Sequence, residues 1–209
     1  METNFVQTSQ YEEEARRILD AASWCYLESG SGNEQTLRAT VAAFEHIWLR
    51  PRVLVPMLAP DLSTTVLGIP LSLPIMAAPV GFQTWFHPEG EIASVQGTGQ
   101  AQTLYVASSS ATTSLEDIAR AASGPLWFQL YLYQQRAVSE QLVQRAEQAG
   151  YQAIVVTVDT AYYGRKEKFL WSMPWFYPVV LRLLASTAHL SSSTHCKKTC
   201  IRPLFVEFS

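Results

Sequence analysis

The sequence predicts an α/β fold: a parallel sheet with both faces covered. Three observations predict it. Short, almost wholly apolar segments recur at Ile75-Met76-Ala77-Ala78, Leu104-Tyr105-Val106-Ala107, Leu126-Trp127-Phe128-Gln129-Leu130 and Ala153-Ile154-Val155-Val156-Thr157-Val158. Segments with helical periodicity lie between them, and the links are short. Strands that read as continuous apolar runs, rather than alternating ones, belong where helices cover the sheet. The pattern fits half of a (β/α)8 barrel or one half of a doubly wound sheet.

The elements follow in order. Residues 8–29 read as a helix, with Ile18, Ala22 and Tyr26 on one face and Gly30 as the stop. A second helix is expected from Glu34 to Ile47, with Leu37, Val41 and Phe44 inward and Ser31 or Asn33 as N-cap. Arg52-Val53-Leu54-Val55 reads as a strand. Thr64-Thr65-Val66-Leu67 and Leu71-Ser72-Leu73 read as a hairpin around Gly68-Ile69-Pro70. In the alternating region, Pro88 opens a helix to about Gln100. Thr113-x-x-Glu116 is a capping box before the helix carrying Ile118 and Ala121. Val138, Leu142, Val143 and Ala146 mark the next helix, which Gly150 ends.

Composition narrows the function classes. The 209 residues are 48% hydrophobic and 16% charged, with net charge −3, so no basic excess points to nucleic acid. Cys25, Cys196 and Cys200 are too few for a disulfide framework, which suggests a reducing compartment and a cytoplasmic location. Residues 1–17 are polar and acidic, unlike a secretory signal, and Glu207-Phe208-Ser209 is not a peroxisomal address.

In a parallel βα architecture chemistry gathers at the C-terminal ends of the strands. Those positions offer Ala78-Pro79-Val80-Gly81-Phe82-Gln83, Ser108-Ser109-Ser110, Gln129 with Tyr131, and Thr157 with Asp159, followed by Gly164-Arg165-Lys166. The first is a small-residue loop against which a flat ring could lie close to the backbone. The others form a rim of hydroxyls, an amide, a phenol, a carboxylate and cations. Such a rim suits a heteroaromatic cofactor and a small anionic substrate. Singly, each has a plainer reading: serines and threonines cap and turn chains, Tyr131 can be a rim aromatic, and Asp159 can cap a helix. The argument rests on their recurrence at successive strand ends.

Six ordered motifs carry a resemblance. They are Tyr26 with Glu28-Ser29-Gly30, Leu49-Arg50-Pro51-Arg52, Pro74-Ile75-Met76-Ala77-Ala78-Pro79, His87-Pro88-Glu89-Gly90-Glu91, Phe128-Gln129-Leu130-Tyr131 and Thr157-Val158-Asp159-Thr160. Over about residues 8–168 the chain resembles the FMN-dependent 2-hydroxy-acid oxidases and dehydrogenases, which include glycolate oxidase, lactate oxidase and flavocytochrome-type lactate dehydrogenases. The resemblance implies a (β/α)8 TIM barrel preceded by helices and a small hairpin, with FMN as cofactor. It implies oxidation of an (S)-2-hydroxy acid of the glycolate or lactate type to a 2-oxo acid, and a homo-oligomer, commonly a tetramer.

It also implies roles. Ala78, Pro79, Val80 and Gly81 line the flavin. Ser108, Gln129 and Thr157 hydrogen-bond its edge, with Tyr131 beside them. Tyr26 and Tyr131 contact the substrate. Asp159 orients and supports a histidine base. The family carries a substrate-binding arginine two residues beyond the glycine matched by Gly164. Lys166 stands there, with Arg165 next to it. A lysine holds a carboxylate as a point charge, without the bidentate fork of arginine.

Pattern and resemblance both stop near Lys168. The expectation is therefore an incomplete barrel of about half the strands, residues 1–168, joined to an unrelated tail, 169–209, of frameshift or alternative-transcript origin. The family's histidine base lies further on, so this chain alone is expected to be inactive, a truncated copy that at most associates with full-length subunits. The run from Leu170 to Leu184 contains Arg182, Pro174 and Pro178 and falls short of the ~20 residues of a membrane span. His195-Cys196-x-x-x-Cys200 lacks a fourth ligand at sensible spacing, so no metal is expected.

Overall fold

A computed structural model describes residues 5–54, 56, 59–159, 164–172 and 205–207. They fall into two compact units, one from the N-terminal segment up to Pro56 with 164–172, the other from 59–159 with 205–207. The run 173–184 and the His195, Cys196 and Cys200 cluster lie outside the described residues.

The first unit contains α1 (Thr8–Ile18), α2 (Ala21–Glu28), α3 (Gln35–Ala43) and, from the later segment, α7 (Glu167–Ser172). The single helix expected over 8–29 is two. Asp20 breaks it: its carboxylate accepts from the backbone N–H of Ala22 at 2.9 Å and of Ser23 at 3.0 Å, starting a new helix instead of continuing the old one. The second expected helix is shorter than read. It ends at Ala43 and tightens into a 3-10 turn, Phe44–His46. Its N-cap is Glu34, in the left-handed region at φ 57°, and neither Ser31 nor Asn33 caps it. Val41 and Phe44 are not inward; they are 66% and 73% exposed. The helical period was legible, but the packing partner that would bury that face is not supplied by the described residues of this unit. The strand expected at 52–55 does not form over its described residues. Leu54 turns left-handed at φ 61°, which an extended strand does not tolerate.

The second unit opens on a hairpin of β1 (Thr64–Val66) and β2 (Ile69–Leu71), in register Thr64 with Leu71 and Val66 with Ile69. Leu67 and Gly68 turn it, at φ 48° and 80°. Two consecutive positive φ values match a turn whose twist suits a two-residue hairpin. Pro70 therefore belongs to the strand and not to the turn.

Three βα steps follow: α4 (Gly90–Gln100), β3 (Tyr105–Ala107), α5 (Leu115–Ala121), β4 (Leu126–Tyr131), α6 (Arg136–Gln148) and β5 (Ala153–Thr157). β3 pairs with β4 and β4 with β5, both parallel. The first expected strand is reduced to one parallel bridge, Ala77 with Tyr105. There the Ala77 N–H donates to the Leu104 carbonyl at 2.9 Å and Val106 N–H to the Ala77 carbonyl at 3.1 Å. The cap of α5 shifts by one residue: Ser114 accepts from Asp117 N–H, which leaves the Thr113 hydroxyl for another partner. β6 (Phe205–Glu207), a strand not foreseen in the tail, pairs antiparallel with β5 along its far edge.

Register and alternation sort the side chains. Tyr105, Ala107, Phe128, Leu130 and Ile154 face α4–α6, packing with Val95, Leu115, Ile118 and Ala146. On the opposite face Val106, Trp127 and Ala153 lie in one row, with Leu104 nearby, and the hairpin residues Val66, Ile69 and Leu71 cover them. Both faces of the sheet are thus apolar for a reason. Phe128 is 2% exposed at the centre of the helix side and meets Tyr151 edge-on at 5.8 Å. Phe128→Ala is expected to cost about 3–5 kcal/mol in urea denaturation, and Val41→Ala less than about 0.5 kcal/mol.

Candidate functional site

The sheet face that packs on the hairpin changes character two residues further along each strand. Beyond Val106, Trp127 and Val155 come Ser108, Gln129 with Tyr131, and Thr157. Gln129 is 2% exposed, so its amide must be satisfied inside the protein. Its Oε1 accepts from Ser109 N–H at 3.1 Å, the Ser109 hydroxyl at 3.3 Å and the Ser108 hydroxyl at 3.4 Å. Its Nε2 donates to the Thr157 hydroxyl oxygen at 2.9 Å. One polar chain therefore crosses the C-terminal ends of three neighbouring strands. Tyr131 ends β4 opposite Thr157 and is half-buried.

Beside this chain, Ala78, Pro79 and Val80 are exposed and Gly81 is half-buried. Gly81 is a glycine of necessity: a Cβ there would meet Ser110 Cβ at 2.9 Å and its carbonyl oxygen at 3.2 Å. Phe82 N–H donates to that same carbonyl at 3.0 Å. Asp159 lies two residues beyond β5 and is exposed. The described histidines are His46, in the 3-10 turn, and His87, whose Nδ1 accepts from Glu89 N–H at 3.3 Å.

Tyr26, Arg165 and Lys166 belong to the first unit. There the structure brings Tyr26 and Lys166 together. The ammonium donates to the Tyr26 carbonyl at 2.7 Å and lies 4.4 Å from the centre of its ring. Burial lowers the Lys166 pKa below the usual lysine value, with Cys25 opposing the shift. Arg165 is exposed, and its carbonyl accepts from Gly32 N–H at 3.1 Å.

Sequence reasoning placed Ser109 among the rim hydroxyls and Gln83 in the small-residue loop without giving either a particular partner, and gave Glu91 no role. Ser109 supplies two of the donors to Gln129. Glu91, at the start of α4, is wholly buried. Its carboxylate accepts from Thr112 N–H at 2.8 Å, the Thr112 hydroxyl at 2.9 Å, the Thr113 hydroxyl at 2.8 Å and Gln83 N–H at 3.3 Å. Gln83 in turn donates to the Val80 carbonyl at 3.2 Å and the Tyr105 phenol at 3.1 Å, and accepts from the Ser94 hydroxyl at 2.6 Å. The only signal for this cluster was the motif His87–Glu91 itself, quoted without a function. Burial pushes the Tyr105 phenol up to about 12, with Gln83 opposing and Glu91 adding, so it stays neutral.

The donor set fits a flavin ring. The polar chain occupies the accepting oxygen of Gln129 and one of its amide hydrogens. Among the described residues the second amide hydrogen and the Thr157 hydroxyl hydrogen meet no acceptor, which suits the acceptor-rich edge of a heteroaromatic ring. The exposed residues Ala78–Val80 lie in the loop that follows the Ala77 bridge.

Such a parallel βα core with polar strand ends defines a partial (β/α)8 barrel of the flavin-oxidase kind, as its structural neighbours show. Mandelate oxidase with (S)-2-phenylpropionate matches with TM-score 0.77 and 36% identity, over 80% of this chain and 50% of that one. Mandelate oxidase carrying a C4a-OH-FMN adduct matches with TM-score 0.75 and 36% identity, over 78% of this chain and 49% of that one. The chain belongs to the FMN-dependent dehydrogenase family, whose sequence model matches residues 15–189. Glycolate oxidase 1 of Zea mays is 44% identical over 158 residues, which is 76% of this chain and 43% of that protein. A peroxisomal (S)-2-hydroxy-acid oxidase of Oryza sativa is 40% identical over 168 residues, 80% of this chain and 46% of that protein. The chain thus spans about half the length of the curated relatives it matches, and the family match runs past Lys168. FMN is the cofactor of this family. Among the described residues no helix is long and apolar enough to cross a membrane.

The Glu91 carboxylate has a testable electrostatic signature. Burial alone would raise its pKa, but the hydrogen bonds from Thr112 and Thr113 outweigh burial and hold it below the ordinary 4.5. With a lowered folded-state pKa, its contribution to stability is present above the unfolded value and lost as pH falls through the folded one. Glu91→Gln is therefore expected to flatten the loss of stability below about pH 4.5, read from urea midpoints across an acid series.

Proposed function

We propose that this chain supplies the flavin-facing and part of the substrate-facing residues of an FMN-dependent (S)-2-hydroxy-acid oxidase or dehydrogenase of the glycolate, lactate or mandelate type. The observation that carries the reading is the Ser108–Gln129–Thr157 chain across three parallel strand ends. Gln129 and Thr157 would hold the polar edge of the ring, with Ser108 and Tyr131 alongside, and the backbone of Ala78–Gly81 would lie along it. FMN, when bound, accepts the two electrons that leave the substrate's α-carbon.

The remaining roles belong to this chain's own groups. Lys166 would attract the substrate carboxylate, with Arg165 as a second cation. Because the ammonium is already engaged by the Tyr26 carbonyl and ring, it offers a point charge held in place and not a fork. The phenols of Tyr26 and Tyr131 would contact the substrate carboxylate and hydroxyl. Asp159 would orient a histidine base and favour its charged form.

The base has no counterpart among the motifs of residues 8–168. On this reading the 209-residue chain binds flavin without turnover, acts in the cytoplasm, and at most joins full-length copies in a homo-oligomer. The family match reaches residue 189, so the segment that would stand outside the catalytic barrel is 190–209. Titrating FMN into the purified chain tests the cofactor role by quenching of flavin fluorescence. Quenching is expected, weakened about tenfold or more by Gln129→Ala. Absence of binding by the wild-type chain would overturn it. Lactate, glycolate and mandelate, supplied with FMN and an electron acceptor, are expected to give no 2-oxo acid; measurable turnover would refute the claim of inactivity.

A further inference from the structure

The motif His87-Pro88-Glu89-Gly90-Glu91 is part of the family resemblance, yet no role above absorbs it. Its last residue is a wholly buried carboxylate with no cation among its hydrogen-bond partners in the described residues. A buried charge without a counter-ion is expensive unless several donors solvate it. Here the donors come from two different loops. Gln83 N–H belongs to the loop that continues Ala78–Gly81; Thr112 N–H and the Thr112 and Thr113 hydroxyls belong to the loop that continues Ser108–Ser110.

Further contacts run between the same two loops. Thr84 N–H donates to the Thr112 hydroxyl at 3.3 Å, and Phe82 N–H to the Ser110 carbonyl at 3.0 Å. Phe82 is held at φ 58°, a left-handed backbone that a bulky residue adopts only when its surroundings impose it. Gly90, at φ 43°, lets the start of α4 approach this region, since a Cβ would meet Thr84 Cγ2 at 2.7 Å. Gln83 then passes the constraint on, its side chain pinning the Val80 carbonyl.

We propose that Glu91 is a positioning residue whose carboxylate lashes the 78–84 loop to the 108–113 loop and so fixes the backbone on which the ring and its polar edge are held. That the ring is a flavin rests on the reading above; the lash itself does not.

The experiment compares the full chain as wild type, Glu91→Ala, Glu91→Gln and Ser72→Ala. The last removes the hydrogen bond from the Ser72 hydroxyl to the Ala101 carbonyl, at the end of β3 opposite to the two loops, and so serves as a stability control. Two readouts are taken: amide hydrogen exchange and FMN affinity by fluorescence quenching. In Glu91→Ala the amides of Phe82, Gln83 and Thr112 are expected to exchange about tenfold faster together, while those of α6 stay unchanged. FMN affinity is expected to fall about tenfold, with Glu91→Gln recovering part of both effects because its amide still accepts and donates at the same place. Ser72→Ala should leave the loop amides and FMN affinity within about twofold of wild type.

Loop amides unchanged in Glu91→Ala, faster in one loop only, or faster in step with α6 would overturn the lash. If the wild type binds FMN and Glu91→Ala binds it equally well, the positioning role falls even when exchange rises. If the wild type binds no FMN, the cofactor reading fails for this chain, and the exchange pattern alone decides the lash.

Discussion

Parallel pairing of β3, β4 and β5 is the constraint from which the rest follows. Parallel neighbours cannot be joined by a tight turn, so each strand must return through a crossing helix, and α5 and α6 do this. Crossing helices cover one face of the sheet and make its residues apolar. The same pairing delivers the C-terminal ends of all three strands to one side, and that is why hydroxyls and amides spaced tens of residues apart form a single polar chain. On the opposite face the hairpin covers only part of each strand and leaves the far end to Ser108, Gln129, Tyr131 and Thr157.

Two buried polar groups order this end. Gln129 lies within the sheet face and ties strand to strand; Glu91 lies behind the loops and ties loop to loop. Both are satisfied almost entirely by backbone N–H groups and hydroxyls. A group held in this way has few alternative arrangements of similar energy, because every lost bond leaves a buried polar atom unpaired. The rim is therefore set before any ligand arrives.

The edge of the sheet beyond β5 is paired. β6 pairs along the free edge of β5, but antiparallel, where a barrel would continue with a parallel strand. Antiparallel pairing satisfies edge N–H and C=O groups without a crossover helix, so it pairs the edge along Ala153, Ile154 and Val155 and does not extend the βα series.

The sequence by itself determined the alternation of strands and helices, the family, and the residue types at the strand ends. Short apolar runs bounded by caps and glycines express local physics that needs no partner. It misplaced what competing local interactions decide: Asp20 splitting the first helix, Ser114 taking the cap from Thr113, and Pro70 lying in the strand. It also read Val41 and Phe44 as inward, since periodicity shows a face but not what covers it. Only the tertiary structure decided that Ser108, Ser109, Gln129 and Thr157 form one network, that Tyr26 sits with Lys166, and that Glu91 spans two loops. Those contacts join residues from about 20 to 140 positions apart. They exist because the sheet register and the helix crossings bring the chain back on itself, and nothing local in the sequence records that.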